Sequence, residues 1–467
     1  MAIFHKLIPN SEKSLRIIIV GAGKIGATLA DKLTAEGNNV TIVDKNADRV
    51  NRLSTMYDIM GITGNGSSYG TLIEAGIENA DLIIAVTDSD ELNLLCCTLA
   101  KKVGNCASIA RVRNPDYTDE LSYLRDKLGI TMILNPELEA AKEINRILHF
   151  PYALSVNAFA RGSVDMIRFK IPAVSCLNGM QLTDFQGRDG FDVLVCVVER
   201  GNEVIIPNGQ FRLMSGDVVS IIAPPRNAYK FFRKIKMSSR RVSSAIIIGG
   251  GKTSYHLAKY LCGSGISVKI IEMSLSRCQE LSELLPPNVV IVNGDGTDET
   301  LLLQEGIEQI GAVIPLTGID EENILLSLYA LRANPDVKVI TKINHINFSG
   351  VVNALELGSI VYPRYVTAET IRTYVRAKKN SIGSNIETIY RLFDDRVEAI
   401  EFKIESDAEY TNVPLRDLSL KDNLLIASVI RGGKSFIPSG TDCIKRGDSV
   451  IIVTTHSGFD NIRDILA

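Results

Sequence analysis

The sequence predicts an α/β protein made of two parallel-sheet lobes, each followed by a small α+β carboxyl-terminal lobe. Three observations carry this. An apolar strand runs into a glycine loop and then a helix twice, in "IIIVGAGKIGATLA" (Ile17 to Ala30) and in "AIIIGGGKTSYHLA" (Ala245 to Ala258). The surroundings recur too: Gly249 follows Gly21 by 228 positions, and Glu272 follows Asp44 by the same interval. The recurrence also extends past these units. "VIIPNG" at Val204 aligns with "SFIPSG" at Ser435 at a shift of 231, as does "SGDVVSII" at Ser215 with "RGDSVIIV" at Arg446. Self-similarity at a fixed interval defines an architecture better than any single motif. The order is large lobe, small lobe, large lobe, small lobe.

Along the chain, "RIIIV" is a strand, and the helix after it carries Ile25, Leu29 and Leu33 at helical spacing with Gly37 as its stop. "NVTIVD", "DLIIAVT" and "CASIARV" are further strands. Continuous apolar strands interleaved with helices make a parallel sheet covered on both faces. "AVTDSDELN" (Ala85 to Asn93) pairs with "PLTGIDEEN" (Pro315 to Asn323) at a shift of 230, placing Thr87 on Thr317, Asp90 on Asp320 and Asn93 on Asn323. "GNGSS" at Gly64 pairs with "GDGTD" at Gly294, and the same shift puts Thr341 in the place of Arg111.

An amphipathic helix over Asn135 to Phe150 is stopped at Pro151, and its counterpart covers Thr367 to Lys379. The small lobe reads as "MIRFKI", "FDVLVCVVER", "EVIIP" and "DVVSIIAP", β-branched strands between glycine and proline turns, with one helix. The expected boundaries are 15–135 and 242–362 for the large lobes, and 136–236 and 363–467 for each connecting helix with its small lobe. The link between the halves carries Arg226, Lys230, Arg233, Lys234, Lys236, Arg240 and Arg241 without an acid. That pattern suits a solvated helix and linker, or contact with an acidic surface.

At 467 residues the length suggests about three domains, and the apolar (45%) and charged (22%) fractions are those of ordinary globular chains. A net charge of −3 gives no pull toward nucleic acid, so no nucleic-acid partner is expected. Apolar runs such as "IIIV" and "LIIAV" fall far short of the ~20 residues a membrane span needs. "MAIFHKLIPNSEK" has neither a sustained apolar core nor a small-residue cleavage site, so no signal peptide is expected. Eight cysteines without paired metal spacing point to reduced thiols in the cytoplasm and to no metal site.

In "GAGKIG", Gly21 permits the tight turn, Gly23 lets the backbone approach a pyrophosphate, and Gly26 lets the helix pack close to the sheet, as in a Rossmann-like loop. The amides and the positive end of the helix favour phosphate charge. Asp44, 18 residues past Gly26, stands where a carboxylate accepts hydrogen bonds from an adenosine ribose. It would also repel a 2′-phosphate, favouring NAD or a plain adenine nucleotide over NADP. The second loop keeps Gly249 and Gly251, has the small Ser254 in third place, and has Glu272 for the ribose. Two further patterns fail on context. "GKTS" lacks the P-loop's first glycine, since Ile246 stands there, and the Tyr255/Lys259 pair lies on the helix directly behind the loop.

A dehydrogenase needs a proton donor or acceptor beside the nicotinamide. The five histidines are His5, His149, His256, His345 and His456; His256 aligns with Thr28 and His345 with Pro115, so none recurs. The small lobes show no cluster suited to a substrate or metal. Binding without turnover is the leading reading. An NAD-dependent oxidoreductase and a nucleotide-responsive regulator of some other membrane transporter are the alternatives.

The tandem order, "GAGKIG", Asp44, "GNGSS", "AVTDSDELN", "ARVRNPDY" and "IIPNG…SGD" together resemble the TrkA family, peripheral regulators of Trk-type bacterial potassium uptake systems. The resemblance runs from about Arg16 to near the carboxyl end. It implies a tandem repeat of RCK domains (regulators of potassium conductance), each a Rossmann-like amino lobe with a small carboxyl lobe. It implies NAD(H) and ATP or ADP as ligands. Gly21, Ala22, Gly23, Lys24 and Ile25 would hold the phosphates, with Gly26 closing the helix onto them and Asp44 on the ribose. Thr87 and Asp88 would line the nucleotide and Arg111 would reach it from the fifth strand. In the second lobe the matching residues are Gly249, Gly250, Gly251, Lys252, Thr253, Glu272 and Thr317. Departures from the family pattern are Asn65 in place of an acid, Thr341 in place of Arg111, and "PLTG" before Thr317. The resemblance further implies a homotetramer whose eight RCK units form a ring on the cytoplasmic face, beneath a membrane-embedded Trk-type potassium transporter subunit. The helices at Asn135 and Thr367 would be moving joints or dimer contacts.

Overall fold

The computed structural model describes residues 14–467 apart from 115–116, 118–120, 151, 186–191, 236, 238–241, 345–351, 353–354, 356, 381–384, 394–395 and 460. His5, His345, Lys236, Arg240, Arg241 and part of "ARVRNPDY" therefore lie outside the described residues. The chain divides into two compact units, Met1–Glu139 with Pro363–Arg372, and Ala140–Tyr362 with Thr373–Ala467.

The first unit begins with β1 (Arg16–Val20), α1 (Lys24–Ala35), β2 (Asn39–Asp44), α2 (Ala47–Tyr57), β3 (Met60–Thr63) and α3 (Tyr69–Glu74). It continues with β4 (Leu82–Ala85), α4 (Asp90–Val103), β5 (Ala107–Arg111), α5 (Leu121–Leu128) and β6 (Met132–Leu134). The strands run parallel in the order β3-β2-β1-β4-β5-β6. Ile17 to Val20 and Leu82 to Ala85 are buried on both faces, which is why these strands read as unbroken apolar runs. The strand order reverses between β1 and β4, opening a crevice at their carboxyl ends where such sheets bind ligands.

Helix α6 (Pro136–His149) leads to β7 (Ala153–Phe159), β8 (Val164–Lys170), α7 (Leu182–Phe185), β9 (Leu194–Arg200), β10 (Glu203–Ile205), β11 (Val218–Ala223) and α8 (Pro225–Lys234). These strands form an antiparallel sheet ordered β10-β9-β11-β8-β7. Strand β7 is an addition to the sequence prediction: its buried positions come at every third residue, Ala153, Val156 and Phe159, so no alternation announces it.

A second parallel sheet follows, from β12 (Ser244–Ile248), α9 (Lys252–Gly263), β13 (Ser267–Glu272), α10 (Leu275–Leu284), β14 (Val289–Asn293) and α11 (Glu299–Gln304). It is completed by β15 (Ala312–Pro315), α12 (Asp320–Ala333), β16 (Lys338–Lys342) and β17 (Ser359–Val361). Its order, β14-β13-β12-β15-β16-β17, repeats that of the first. Helix α13 (Pro363–Asn380) starts four residues before the predicted Thr367, and β18 (Ile386–Leu392), β19 (Val397–Lys403), β20 (Leu424–Arg431), β21 (Lys434–Phe436) and β22 (Ser449–Thr454) close the chain. They form a second antiparallel sheet, β18-β19-β22-β20-β21.

The two small sheets share one apolar core, in which Phe159, Met166 and Val197 pack with Val397, Ala427 and Ile451. The Phe159 and Tyr390 rings meet edge-on at 4.9 Å, and Tyr390 Oη donates to the Ala158 carbonyl at 2.8 Å. The repeated Gly-Asp pair of each small lobe is explained by a fork. Arg200 grips Asp217 through Nε and Nη2, both at 2.8 Å, and Arg431 grips Asp448 at 2.9 and 2.7 Å. Both carboxylates are buried, and bidentate pairing is what makes burial of such a charge tolerable.

On β8, Asp165 is 6% exposed, and burial pushes its pKa up to about 6, with Arg146 pulling the other way. The folded-state value lies above the unfolded one, so the unfolded chain releases this proton first. Stability attached to Asp165 therefore falls as pH rises from about 4 to about 6. Asp165→Asn is expected to be more stable than the wild type by about 1–3 kcal/mol at pH 7, with the difference vanishing below about pH 4. Thermal melts at the two pH values check this, and equal differences at both would contradict it.

Candidate nucleotide-binding sites

The first crevice is built on the ends of β1, β2 and β4. The chain turns at Gly21, whose φ is +111° and whose N–H donates to the Val43 carbonyl at 2.8 Å. A Cβ on Gly21 would stand 3.0 Å from the Thr87 nitrogen, so the glycine loop and the loop after β4 touch through backbone alone. A Cβ on Gly23, by contrast, would meet nothing within 4 Å. That is the open side of the cradle. Helix α1 starts after Gly23 with no side-chain cap and no acid in its first turn, whereas Asn46 and Ser89 cap α2 and α4. Amides left without a cap at the positive end of a helix favour an anion.

Asp44 braces this loop. Its Oδ2 accepts the Ala22 N–H at 2.6 Å and its Oδ1 accepts the Asn46 N–H at 2.9 Å. A carboxylate has about four acceptor sites, so capacity remains for ribose hydroxyls. Opposite, Thr87 N–H and Oγ1 both reach Asn93 Oδ1, at 2.8 and 2.7 Å, and Asn93 Nδ2 donates to the Thr87 and Arg111 carbonyls at 3.1 and 2.9 Å. Asn93 is wholly buried and fixes the rim of the site. In sequence Asn93 is marked only by its pairing with Asn323, and no local motif announces this role.

Arg111 lies under the Thr87 rim. Its side chain is 8% exposed, and its Nη2 donates to the Thr87 carbonyl and, at 3.3 Å, to Asp88 Oδ1. Burial pulls its pKa below the usual guanidinium value, and Arg113 adds to that. Its Nε is buried without a hydrogen-bond partner among the described residues. The guanidinium props the Thr87–Asp88 loop from beneath, while the Asp88 side chain is 97% exposed. Lys24 is likewise exposed at the start of α1.

The second crevice repeats the plan with changes. Gly249, at φ +96°, donates to the Ile271 carbonyl at 2.8 Å, and Glu272 accepts from the Gly250 and Ser274 amides at 2.6 and 2.7 Å. Gly251 is open as Gly23 is, and α9 is likewise uncapped. Lys252 is exposed and Thr253 buried at the start of that helix. Ser254 fits where a glycine stood because its Oγ donates to the Gly249 carbonyl at 2.5 Å. Arg277 lays its Nε on the Gly250 carbonyl at 2.7 Å, placing a cation over this loop. Thr317 N–H donates to Asn323 Oδ1 at 2.9 Å, as Thr87 does to Asn93.

One alignment must be corrected. Asn93 Nδ2 donates to the Arg111 carbonyl and Asn323 Nδ2 to the Lys342 carbonyl, so Lys342, not Thr341, occupies the place of Arg111. Lys342 Nζ donates to the Leu316 carbonyl at 2.9 Å, propping the second loop with a cation as Arg111 props the first. The cause is one extra residue between helix and strand: Gly104–Cys106 separates α4 from β5, and Asn334–Val337 separates α12 from β16. Tyr255 and Lys259 close on each other at 3.2 Å within α9, which agrees with setting that motif aside.

The TrkA-N domain model matches residues 17–136 and again 245–363, and the TrkA-C domain model matches 166–236 and 399–467. The chain belongs to the TrkA family. The Trk system potassium uptake protein TrkA of Halomonas elongata is 33% identical over 457 residues, covering 97% of this chain and 98% of its own. TrkA homolog 1 of Methanosarcina mazei is 30% identical over 456 residues, covering 96% and 99%. Among solved structures, the GsuK channel superimposes with a TM-score of 0.62 at 17% identity over 96% of this chain and 78% of its own. The GsuK RCK domain gives 0.61, again at 17% identity, over 96% of this chain and 93% of its own. The TrkA-family chain thus has the tandem RCK fold.

Both TrkA-N segments bring their glycine loop, strand-end carboxylate and Thr87 or Thr317 rim together at one crevice. Among the described residues of this TrkA-family chain, no group of three or more His, Cys, Asp or Glu could hold a metal ion. No described helix is long and apolar enough to cross a membrane.

Proposed function

We propose that the chain is a cytosolic, nucleotide-sensing regulatory subunit that gates a Trk-type potassium transporter through NAD(H) and ATP or ADP binding. The observation that carries this is the duplicated cradle: an uncapped helix start, a glycine open at its Cβ, and a carboxylate bracing the loop from the next strand. The names of the relatives, Trk system potassium uptake proteins, support the transporter partner. The GsuK channel bound to NAD and GsuK bound to ADP, at TM-scores of 0.61 and 0.51 and 17% and 16% identity, have the same fold. They support the ligand class.

In this reading the amides of Gly21 to Ile25 and of Gly249 to Thr253 face the phosphates. Asp44 and Glu272 take the ribose hydroxyls, and Thr87 and Thr317 form the far rim. The nucleotide, when bound, supplies phosphate charge and ribose hydroxyls. A ligand biases a gate only by its difference in affinity between two shapes. Carrying a gate from 1:99 to 99:1 takes about 5.5 kcal/mol of such difference. Shared among the cradles of a homotetrameric eight-unit ring, that is about 0.7 kcal/mol each. Duplication makes weak coupling per site sufficient.

The test is calorimetric titration of the full chain with NADH, NAD, ATP and ADP, followed by recovery of its partner from membranes and potassium flux with that partner. Saturable binding, a Trk-type partner and nucleotide-dependent flux are expected. Steady consumption of NADH with a carbonyl substrate would overturn the reading in favour of an oxidoreductase.

A further inference from the structure

The helices that follow the two nucleotide lobes differ at a buried arginine. Arg372 of α13 is 1% exposed and places Nε 2.7 Å and Nη2 2.5 Å from one oxygen of Glu36, whose side chain is 8% exposed. Its Nη1 pairs with Glu369, one turn earlier on α13. Burial pulls the Arg372 pKa down, and the carboxylates of Glu369 and Glu36 overcome it, so the value stands above the ordinary one. Glu36 is the C-cap of α1, the helix whose other end forms the first cradle. A carboxylate at a helix carboxyl terminus meets the negative end of the dipole and needs a cation. Arg372, 336 positions away in sequence, supplies it.

One turn further along α13, Arg376 is 9% exposed and its Nη1 donates to the Ile389 carbonyl of β18 at 3.4 Å. A single helix thus holds the end of α1 with one arginine and the second small sheet with the next. The two corresponding positions in the other half are uncharged. Strand β6 ends at Leu134 before α6 at Pro136, and β17 ends at Val361 before α13 at Pro363, a shift of 227. Arg372 therefore corresponds to Asn145. Glu36 corresponds to Ser264, the C-cap of α9, at the shift of 228. Asn145 and Ser264 are neutral, and both line a cleft of about 580 Å³ together with Lys142 and Arg146.

We propose that Arg372 is a positioning residue through which nucleotide binding to the first lobe acts on the second small lobe. The inference rests on the sensor reading above. Phosphates drawing on the amino end of α1 displace its carboxyl end as a rigid body, because an α-helix shortens or bends only by disturbing its own hydrogen bonds. Glu36 moves with that end, and the buried ion pair obliges α13 to follow. Losing the pair would strand a buried charge, so the contact resists slipping. The signal passes over the small lobe next in sequence and enters the last one.

Amide hydrogen exchange on the full chain, with and without saturating NADH, tests this. In the wild type NADH is expected to slow exchange in α1 and, by about fivefold, in β18 and β19. The Glu36→Gln/Arg372→Met double variant removes both buried charges together and leaves only the one-third-exposed Glu369, which water can solvate. It should bind NADH within about threefold of the wild type and keep the α1 response, while the β18–β19 response falls below about twofold. Glu36→Gln alone keeps the shape and should lose part of that response, which serves should the double variant fail to fold. Arg372→Lys, retaining the cation, should recover more of it than Arg372→Met. A wild-type β18–β19 response in Glu36→Gln or in the double variant overturns the relay and leaves the sensor reading standing. Absence of any NADH effect on α1 in the wild type overturns both.

Discussion

Asp44→Ala is expected to weaken NADH and ATP binding at the first lobe together, by about 10- to 100-fold each. The carboxylate would be lost in two capacities. It accepts the Ala22 and Asn46 amides at 2.6 and 2.9 Å, so it sets the shape of the glycine loop and the entry to α2. Its remaining lone pairs are the ones proposed to take the ribose hydroxyls. Charged hydrogen bonds of this kind contribute about 1.5–3 kcal/mol each, which fixes the scale. The adenosine moiety is common to both nucleotides, so a loss confined to one of them would show that Asp44 does not hold the ribose. Removing the negative charge also removes the repulsion of a 2′-phosphate, so the preference for NADH over NADPH should narrow in Asp44→Asn. Because Glu272 is untouched, titrations should be repeated in a Glu272→Ala background to isolate the first lobe. Unchanged calorimetric affinities for NADH and ATP would rule out the assignment.

What could be read from the sequence, and what could not, divides along a physical line. The cradles were legible because their chemistry is local: Gly21 must reach positive φ, and Asp44 closes the next strand. The duplicated order of lobes was legible from the same motifs taken twice. Strand β7 was not, because a strand buried at every third residue carries no two-residue period. Lys342 was missed for a different reason. A one-residue insertion in a loop leaves both flanking motifs intact and shifts the partner of Arg111 by one, and only the Asn323 hydrogen bond restores the register. For Arg111, sequence cannot tell a side chain that reaches a ligand from one that props the loop beneath it. The Arg372–Glu36 pair was beyond reach altogether, since two residues 336 positions apart share no local pattern.

Gly26→Ala should have the second large effect, and the two lobes together explain why. A Cβ on Gly26 would stand 1.8 Å from the Gly21 carbonyl oxygen and 3.0 Å from its carbon, both backbone atoms. The loop cannot retreat, because Gly21 is tied to Val43 and Ala22 to Asp44. Helix α1 must then lift from the sheet, breaking the contact of its buried face at Leu29 and Leu33 and withdrawing its amides from the cradle. A loss of about 2–4 kcal/mol in stability and of measurable first-lobe nucleotide binding is expected. The second lobe has already accepted a side chain at this place. There Ser254 turns the approach into a hydrogen bond with the Gly249 carbonyl, so Ser254→Ala should cost only about 1 kcal/mol. Gly23→Ala separates the two roles of the first loop. Its backbone is extended, at φ −73° and ψ −169°, and its Cβ position is empty, so the fold should melt as the wild type does while the methyl group stands where the proposed phosphates would approach. Wild-type melting together with undiminished NADH affinity in Gly26→Ala would mean that the helix can bind from a raised position, and that closeness of α1 to its loop is not what the third glycine provides.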